Sequence, residues 1–117
     1  MGLIIQAGMY SGRTDPSVEL TDIESAEVHR RVALLSQSGQ MPPSRLGYHG
    51  VYASNEDATA TWGTVHAWGG GVEVWGRHAY APKVYADTAE LETYLRECFE
   101  RHGPGEVVGN PFWDPKR

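Results

Sequence analysis

Three histidines and one glutamate have the residue types and positions that could support metal or acid–base chemistry. His49, His66 and His78 lie on or just after predicted strands, and three imidazoles can hold a zinc ion with a fourth position open. Their spacing matches no metal-binding motif, however, and histidines on separate strands more often join hydrogen-bond networks. We therefore predict no metal site and no cofactor.

A carboxylate beside an imidazole is the recurrent arrangement that fixes the tautomer of a general base. His66 or His49 beside Glu73 is the catalytic hypothesis for this chain. The alternative is a plain cross-strand ion pair, since the spacing identifies no nucleophile. Cys98 falls on the apolar stripe of a predicted helix, where a thiol without a neighbouring base is an inert hydrophobe.

The strongest hairpin signal is the glycine triplet at residues 69–71, between predicted strands at 61–68 and 72–77. If Gly70 and Gly71 form the turn, Trp68 lies opposite Glu73 and His66 opposite Trp75. Small and β-branched residues then occupy the face suited to helix packing. The other face carries the predicted ligand-binding residues of the hairpin: Trp62, His66, Trp68, Glu73, Trp75 and, opposite Thr64, Arg77. A register error of one residue would exchange the two faces.

The segment at residues 10–16 is the second candidate for ligand binding. A strand ending at Tyr10 leads into a turn that contains Arg13 and Asp15. The guanidinium of Arg13 could clamp a peptide carboxylate. The alternative is a structural turn, in which Asp15 accepts local backbone hydrogen bonds and Arg13 pairs with a nearby carboxylate.

The pattern along the chain predicts one α+β domain over residues 1–117. Strands are expected at residues 3–10 and 46–52 and in the hairpin, and helices from a capping box at Thr21 to near Ser38 and from Asp87 to about residue 102. An antiparallel sheet of about four strands with two helices on one face, in β-α-β-β-β-α order, is the simplest architecture. The apolar tail, residues 104–117, should dock on the domain or on a neighbouring subunit.

The composition excludes several classes of protein. A formal net charge of −5 leaves no basic face for nucleic acid. No apolar run approaches the roughly 18 residues that a membrane span needs. A single cysteine cannot form an internal disulfide, and residues 1–6 lack a basic leader. We expect a cytoplasmic protein that binds neither nucleic acid nor membrane.

The letters Tyr-Ser-Gly-Arg-Thr-Asp-Pro at residues 10–16, with Glu-Leu-Thr-Asp at 19–22 entering a helix, resemble the opening of small uncharacterised bacterial proteins. The layout, with Leu-Gly-Tyr-His-Gly at 46–50, is also similar to the small peptide-binding proteins of ribosomal-peptide (RiPP) natural product pathways of the crocagin type. That resemblance implies a dimeric protein that binds a precursor peptide, and some members of the group also assist ring formation. It maps no catalytic residue onto this chain.

We therefore predict a binding protein for an extended peptide, held at a sheet edge or over the aromatic side chains of the hairpin. Two alternatives stay open. One is a small enzyme acting on a peptide or metabolite, with His66 or His49 as general base and Glu73 or Arg13 orienting the substrate. The other is an immunity or inhibitor-type interaction protein. Because an aromatic sheet face is an efficient self-complementary patch, we also expect a homodimer.

Overall fold

Short runs in which inward-facing and outward-facing side chains alternate form the strands, and glycine and proline separate these runs. Two segments with apolar residues at helical spacing form the helices. The computed structural model describes residues 2–8, 16–43, 48–55, 61–77 and 81–102. The elements are β1 (Ile4–Ala7), β2 (Ser17–Glu19), α1 (Asp22–Leu34), β3 (Val51–Ser54), β4 (Trp62–Trp68), β5 (Gly71–Gly76), β6 (Lys83–Ala86) and α2 (Leu91–His102). The predicted α+β class, with an antiparallel sheet and two helices, is confirmed.

Within the described residues the sheet already has six strands, so the expected number of about four is wrong. The strand order is β2-β1-β3-β4-β5-β6, and each neighbouring pair is antiparallel. The unpredicted strands are the two edges: β2 has three residues directly after Pro16, and β6 has four residues directly after Pro82. So few residues beside a proline give no readable alternation. The chain order is therefore β-β-α-β-β-β-β-α.

One face of the sheet, the helix face, packs against the helices; the opposite face is the outer face. Cross-strand partners share a face, and Ala7, Val51, Ala67 and Val72 form one fully buried row on the helix face. The same core cluster contains Val28 of α1 and four side chains at helical spacing in α2: Leu91, Leu95, Cys98 and Phe99. Helix α2 packs on α1, β3 and β4.

Helix α1 begins at the predicted capping box. The hydroxyl of Thr21 accepts a hydrogen bond from the amide of Glu24 at 3.2 Å, and the Glu24 carboxylate accepts one from the amide of Thr21 at 2.9 Å. The helix ends at Leu34 rather than near Ser38. Residues 37–39 instead pair with the outer edge of β6, where the amide of Gly39 donates to Val84 and Gln37 accepts from Ala86.

Replacing Thr21 by alanine should lower the free energy of unfolding by about 1 kcal/mol, because the amide of Glu24 loses its acceptor. Thr21→Ser retains the hydroxyl and should stay close to the wild type. Urea denaturation followed by circular dichroism measures both variants. Equal losses for alanine and serine would show that the capping hydrogen bond does not stabilise this helix.

Helix α2 begins at Leu91, later than the start predicted at Asp87. The Asp87 carboxylate accepts hydrogen bonds from the amides of Leu91 at 2.7 Å and Glu92 at 3.0 Å, so it still caps the helix. Glu90 was expected three residues inside the helix, but it precedes the helix with a φ of 52°. This conformation is uncommon for a side chain other than glycine, and no residue pattern indicates it.

The hairpin turn is formed by Gly69 and Gly70, with φ values of 57° and 91°. Positive φ at both central residues is what a type I′ turn requires. Gly71 is the first residue of β5 instead. The predicted turn at Gly70 and Gly71 is wrong, because three successive glycines allow two turns that sequence alone does not distinguish.

The change of turn shifts each cross-strand partner in the hairpin by two residues. Trp68 lies opposite Gly71, His66 opposite Glu73, and Thr64 opposite Trp75. Since side chains alternate with a period of two, a shift of two leaves each on its predicted face. His66, Trp68, Glu73 and Trp75 therefore lie on the outer face, as expected.

Neither helix in the described part of the chain is long and apolar enough to cross a membrane. The predicted docking of residues 104–117 lies outside the described residues.

Candidate functional site

Tyr52, His66 and Glu73 form a polar row across three adjacent strands on the outer face. The ring of His66 stacks on that of Tyr52, with centroids 4.0 Å apart and planes 4° from parallel. Its Nδ1 lies 2.9 Å from Oε1 of Glu73, and its Nε2 lies 2.9 Å from the carbonyl oxygen of His49. Both ring nitrogens of this buried side chain are thus engaged within the protein.

The partners of His66 define what the ring can do. A carbonyl oxygen only accepts hydrogen bonds, so Nε2 carries a proton. The remaining nitrogen, Nδ1, lies against the Glu73 carboxylate. His66 therefore offers no lone pair to a bound substrate. The geometry corresponds to the cross-strand pair, the structural alternative to the catalytic hypothesis for His66 and Glu73.

His49 lies beside this row. A Cβ built on Gly8 would come within 2.7 Å of its Nε2, so the imidazole fills the space that a side chain at Gly8 would need. Among the described residues, no three His, Cys, Asp or Glu side chains cluster closely enough to hold a metal ion. His78, the third histidine of the zinc hypothesis, lies outside the described residues.

The two tryptophans of the outer face differ in surroundings. Trp75 is 36% exposed, whereas Trp68 is half-buried and packs edge-on against Tyr48, with ring centroids 5.6 Å apart. The Tyr48 hydroxyl donates to Glu92, whose other carboxylate oxygen accepts from the amide of Gly69. Burial, and then the Glu92 carboxylate, raise the pKa of Tyr48 well above its ordinary value. Trp68 thus belongs to a structural contact between the hairpin and α2.

Trp62 was expected on the outer face, and this prediction is wrong. The register of β4 against β5 shifts between Trp62 and Thr64, and Trp62 pairs with Gly76, which shares the helix face with Val74. A bulge of this kind inserts one residue and reverses the alternation beyond it. The indole is 5% exposed and lies beneath α1, with its ring 5.0 Å from that of His29.

The other predicted site residues do not join the outer-face row. Arg77 was expected opposite Thr64, but its guanidinium donates to the carbonyl of Asn55 at 2.8 Å. Tyr10 and Arg13 lie outside the described residues. Cys98 is fully buried, and burial raises the pKa of its thiol, which fits the predicted inert role.

A cleft of about 590 Å³ lies between α1 and the helix face of β4, β5 and β6. Its floor contains buried Trp62 and Leu35, and its rim contains exposed His29 and Lys83. A volume of this size lies within the usual range of ligand-binding pockets. The described residues that line the cleft are His29, Val32, Ala33, Leu35, Thr61, Trp62, Val74, Gly76, Ala81, Lys83 and Tyr85.

Of the predicted site residues that lie in the described ranges, only Trp62 lines this cleft. On β6, Lys83 and Tyr85 alternate onto the helix face opposite Val74 and Val72. On α1, His29, Val32 and Ala33 have the i, i+3, i+4 spacing of one helical face. That spacing was the available signal for one wall of the cleft. The other wall could not be predicted, because it includes residues of β6, a strand that the sequence did not indicate.

The cleft can hold an apolar group against its aromatic floor and a polar group at its rim. Its described lining contains two basic side chains, those of His29 and Lys83, and no carboxylate. Comparison of the chain with protein-family models, with curated proteins and with solved structures gives no match.

Proposed function

We propose that this protein binds a peptide in the cleft between α1 and strands β4 to β6, and that it acts as a binding protein rather than an enzyme. The observation that carries the proposal is the cleft itself, a concave site with buried Trp62 as its floor. Aromatic side chains in concave sites are the usual anchors of peptide and protein recognition. A precursor peptide of a bacterial RiPP pathway is the ligand that the sequence resemblance implies.

The shape of the cleft favours a peptide over a fully enclosed metabolite. The rim residues Ala33, Thr61, Ala81 and Lys83 are exposed, while Trp62 is buried. A ligand can therefore insert one side chain against the indole and continue beyond the rim. This arrangement suits a chain with a few anchoring residues.

The sheet edges support side-chain recognition rather than strand addition. The outer edge of β6 is paired: Gly39 donates to Val84, and Gln37 accepts from Ala86. The other edge strand, β2, has only three residues. A peptide adding to it would gain few backbone hydrogen bonds, so the cleft is the better site.

The outer face remains a second candidate surface, and homodimer formation there stays a prediction. Trp75 is the large apolar side chain of this face with the greatest exposure among the described residues. Catalysis by His66 and Glu73 is disfavoured because both ring nitrogens of His66 are already engaged, one by Glu73 and the other by the carbonyl of His49.

Selection from random short-peptide libraries on the immobilised protein tests the proposal. One library presents free C-termini and the other free N-termini, and enriched peptides are synthesised and titrated by calorimetry. Ala33→Trp should weaken peptide binding at least about tenfold. Ala33 is exposed and lines the rim of the cleft. Because a helical side chain leans toward the preceding turn, which here carries His29, the new indole should obstruct the cleft.

Ala26→Trp is the matched control, since Ala26 is also exposed on α1 but does not line the cleft. It should bind like the wild type, and both variants should unfold at the wild-type temperature. No enriched peptide in either library, or equal affinity of wild type and Ala33→Trp, would refute the proposal.

A further inference from the structure

The distribution of positive charge singles out Lys83. Of the six lysines and arginines in the described ranges, five interact with a protein group: Arg30, Arg31, Arg77, Arg96 and Arg101. Lys83 is the sixth, and it makes no ion pair or hydrogen bond with any described residue. Among the described residues, Lys83 is thus the cation that no protein group engages, and its ammonium can meet a ligand.

Lys83 stands at the cleft. It lies directly opposite Val74 on the helix face, and the same alternation brings Tyr85 to this face. His29 contributes the opposite wall from α1, where its ring contacts the Trp62 indole. Two basic side chains therefore border one apolar floor.

The part of the lining that the structure describes contains no negatively charged side chain. The chain has 15 Asp and Glu against 10 Lys and Arg, yet none of the described residues that line the cleft is Asp or Glu. The described lining is thus locally basic on an acidic protein. Local fields of this kind attract and orient anionic ligands.

We infer that the cleft recognises the C-terminal residue of a peptide, with an apolar side chain on Trp62 and the terminal carboxylate at Lys83. This inference rests on the proposed function. A C-terminal residue carries its side chain and its carboxylate on the same Cα, so a single residue meets both the apolar floor and the basic rim. An internal Asp or Glu would bring a carboxylate without the apolar group.

The test uses a peptide enriched on the protein, synthesised as the free acid and as the C-terminal amide. On the wild type, the amide should bind at least about tenfold more weakly, because it loses a charge-assisted hydrogen bond. On Lys83→Gln, the acid and the amide should bind with nearly equal, weakened affinity. Lys83→Arg keeps the charge and should restore the preference for the acid.

The outcomes separate this inference from the proposed function. Peptides that bind the wild type but not Ala33→Trp would show that the cleft is a peptide site. Recognition of the carboxylate at Lys83 is refuted if amidation leaves their affinity unchanged, or if amidation weakens binding equally in the wild type and in Lys83→Gln. If the affinity falls when an internal Asp or Glu is replaced but not when the C-terminus is amidated, the C-terminal assignment is refuted. The cleft would then bind an acidic side chain. Absence of any binding peptide refutes the proposed function itself.

Discussion

Replacing Gly50 by alanine should lower the free energy of unfolding by about 3 kcal/mol or more. Gly50 has a φ of 107°, which side-chain-bearing residues rarely adopt. A Cβ there would come within 2.6 Å of the carbonyl oxygen of Ala67 and of Nε2 of His66, and within 2.9 Å of Cβ of Trp68. Backbone strain and overpacking would each contribute roughly 1–3 kcal/mol.

Gly70 provides the matched control for this variant. Its φ is 91°, but a Cβ would meet no atom within 4 Å. Gly70→Ala should therefore cost only the backbone term, about 1–2 kcal/mol. Urea denaturation of both variants separates the two contributions. Equal losses would contradict the close approach of Gly50 to β4, which brings the His49 carbonyl to the His66 ring.

The second large effect is expected from Glu24→Gln, which should destabilise the protein by about 2–3 kcal/mol at pH 7. The Glu24 side chain is buried and accepts hydrogen bonds from the amide of Thr21, Arg101 at 2.7 Å and His102 at 2.8 Å. Burial alone would raise its pKa, but the hydrogen bonds from Thr21 and His102 outweigh it and lower the pKa to about 2.

The lowered pKa of Glu24 predicts the pH dependence of stability. Its ordinary value is 4.5, so the folded state binds this proton less tightly than the unfolded state. The stabilisation is present above about pH 4.5 and is lost as the pH falls toward 2. Stability measured across this range should fall more steeply for the wild type than for Glu24→Gln, and the two curves should converge near pH 2.

Glu27 is the control for this pH effect. Its pKa is also lowered to about 2, by hydrogen bonds from Arg30 and Arg31, but its pairs lie at the surface. Solvent screens such pairs, so Glu27→Gln should change stability and its pH dependence much less. Parallel curves for the wild type and Glu24→Gln would contradict a stabilising role for the buried carboxylate.

The parts of the fold that the sequence predicted are those specified by local chemistry. The Thr21 capping box fixes the start of α1, and the stripe of Leu91, Leu95 and Cys98 fixes the buried face of α2. The faces of His66 and Trp75 were also correct, because the shift of the hairpin turn was an even number of residues.

The predictions that were wrong concern features of the fold that depend on tertiary contacts. Nothing in the letters around Trp62 indicates a bulge, since the register shift arises from how β4 pairs with β5. Strand β6 is stabilised by pairing with β5 on one side and residues 37–39 on the other. Because the cleft requires both Trp62 on the helix face and Lys83 on β6, sequence alone could not reveal it.

The location of the ligand is tested most directly by the indole N–H resonances of the tryptophans, assigned with Trp→Phe variants. Titration of an enriched peptide should shift the Trp62 signal, because that indole forms the floor of the cleft. The Trp75 signal should stay unchanged, since Trp75 lies on the opposite face of the sheet. A titration that shifts Trp75 and leaves Trp62 unchanged would place the peptide on the outer face and contradict the account.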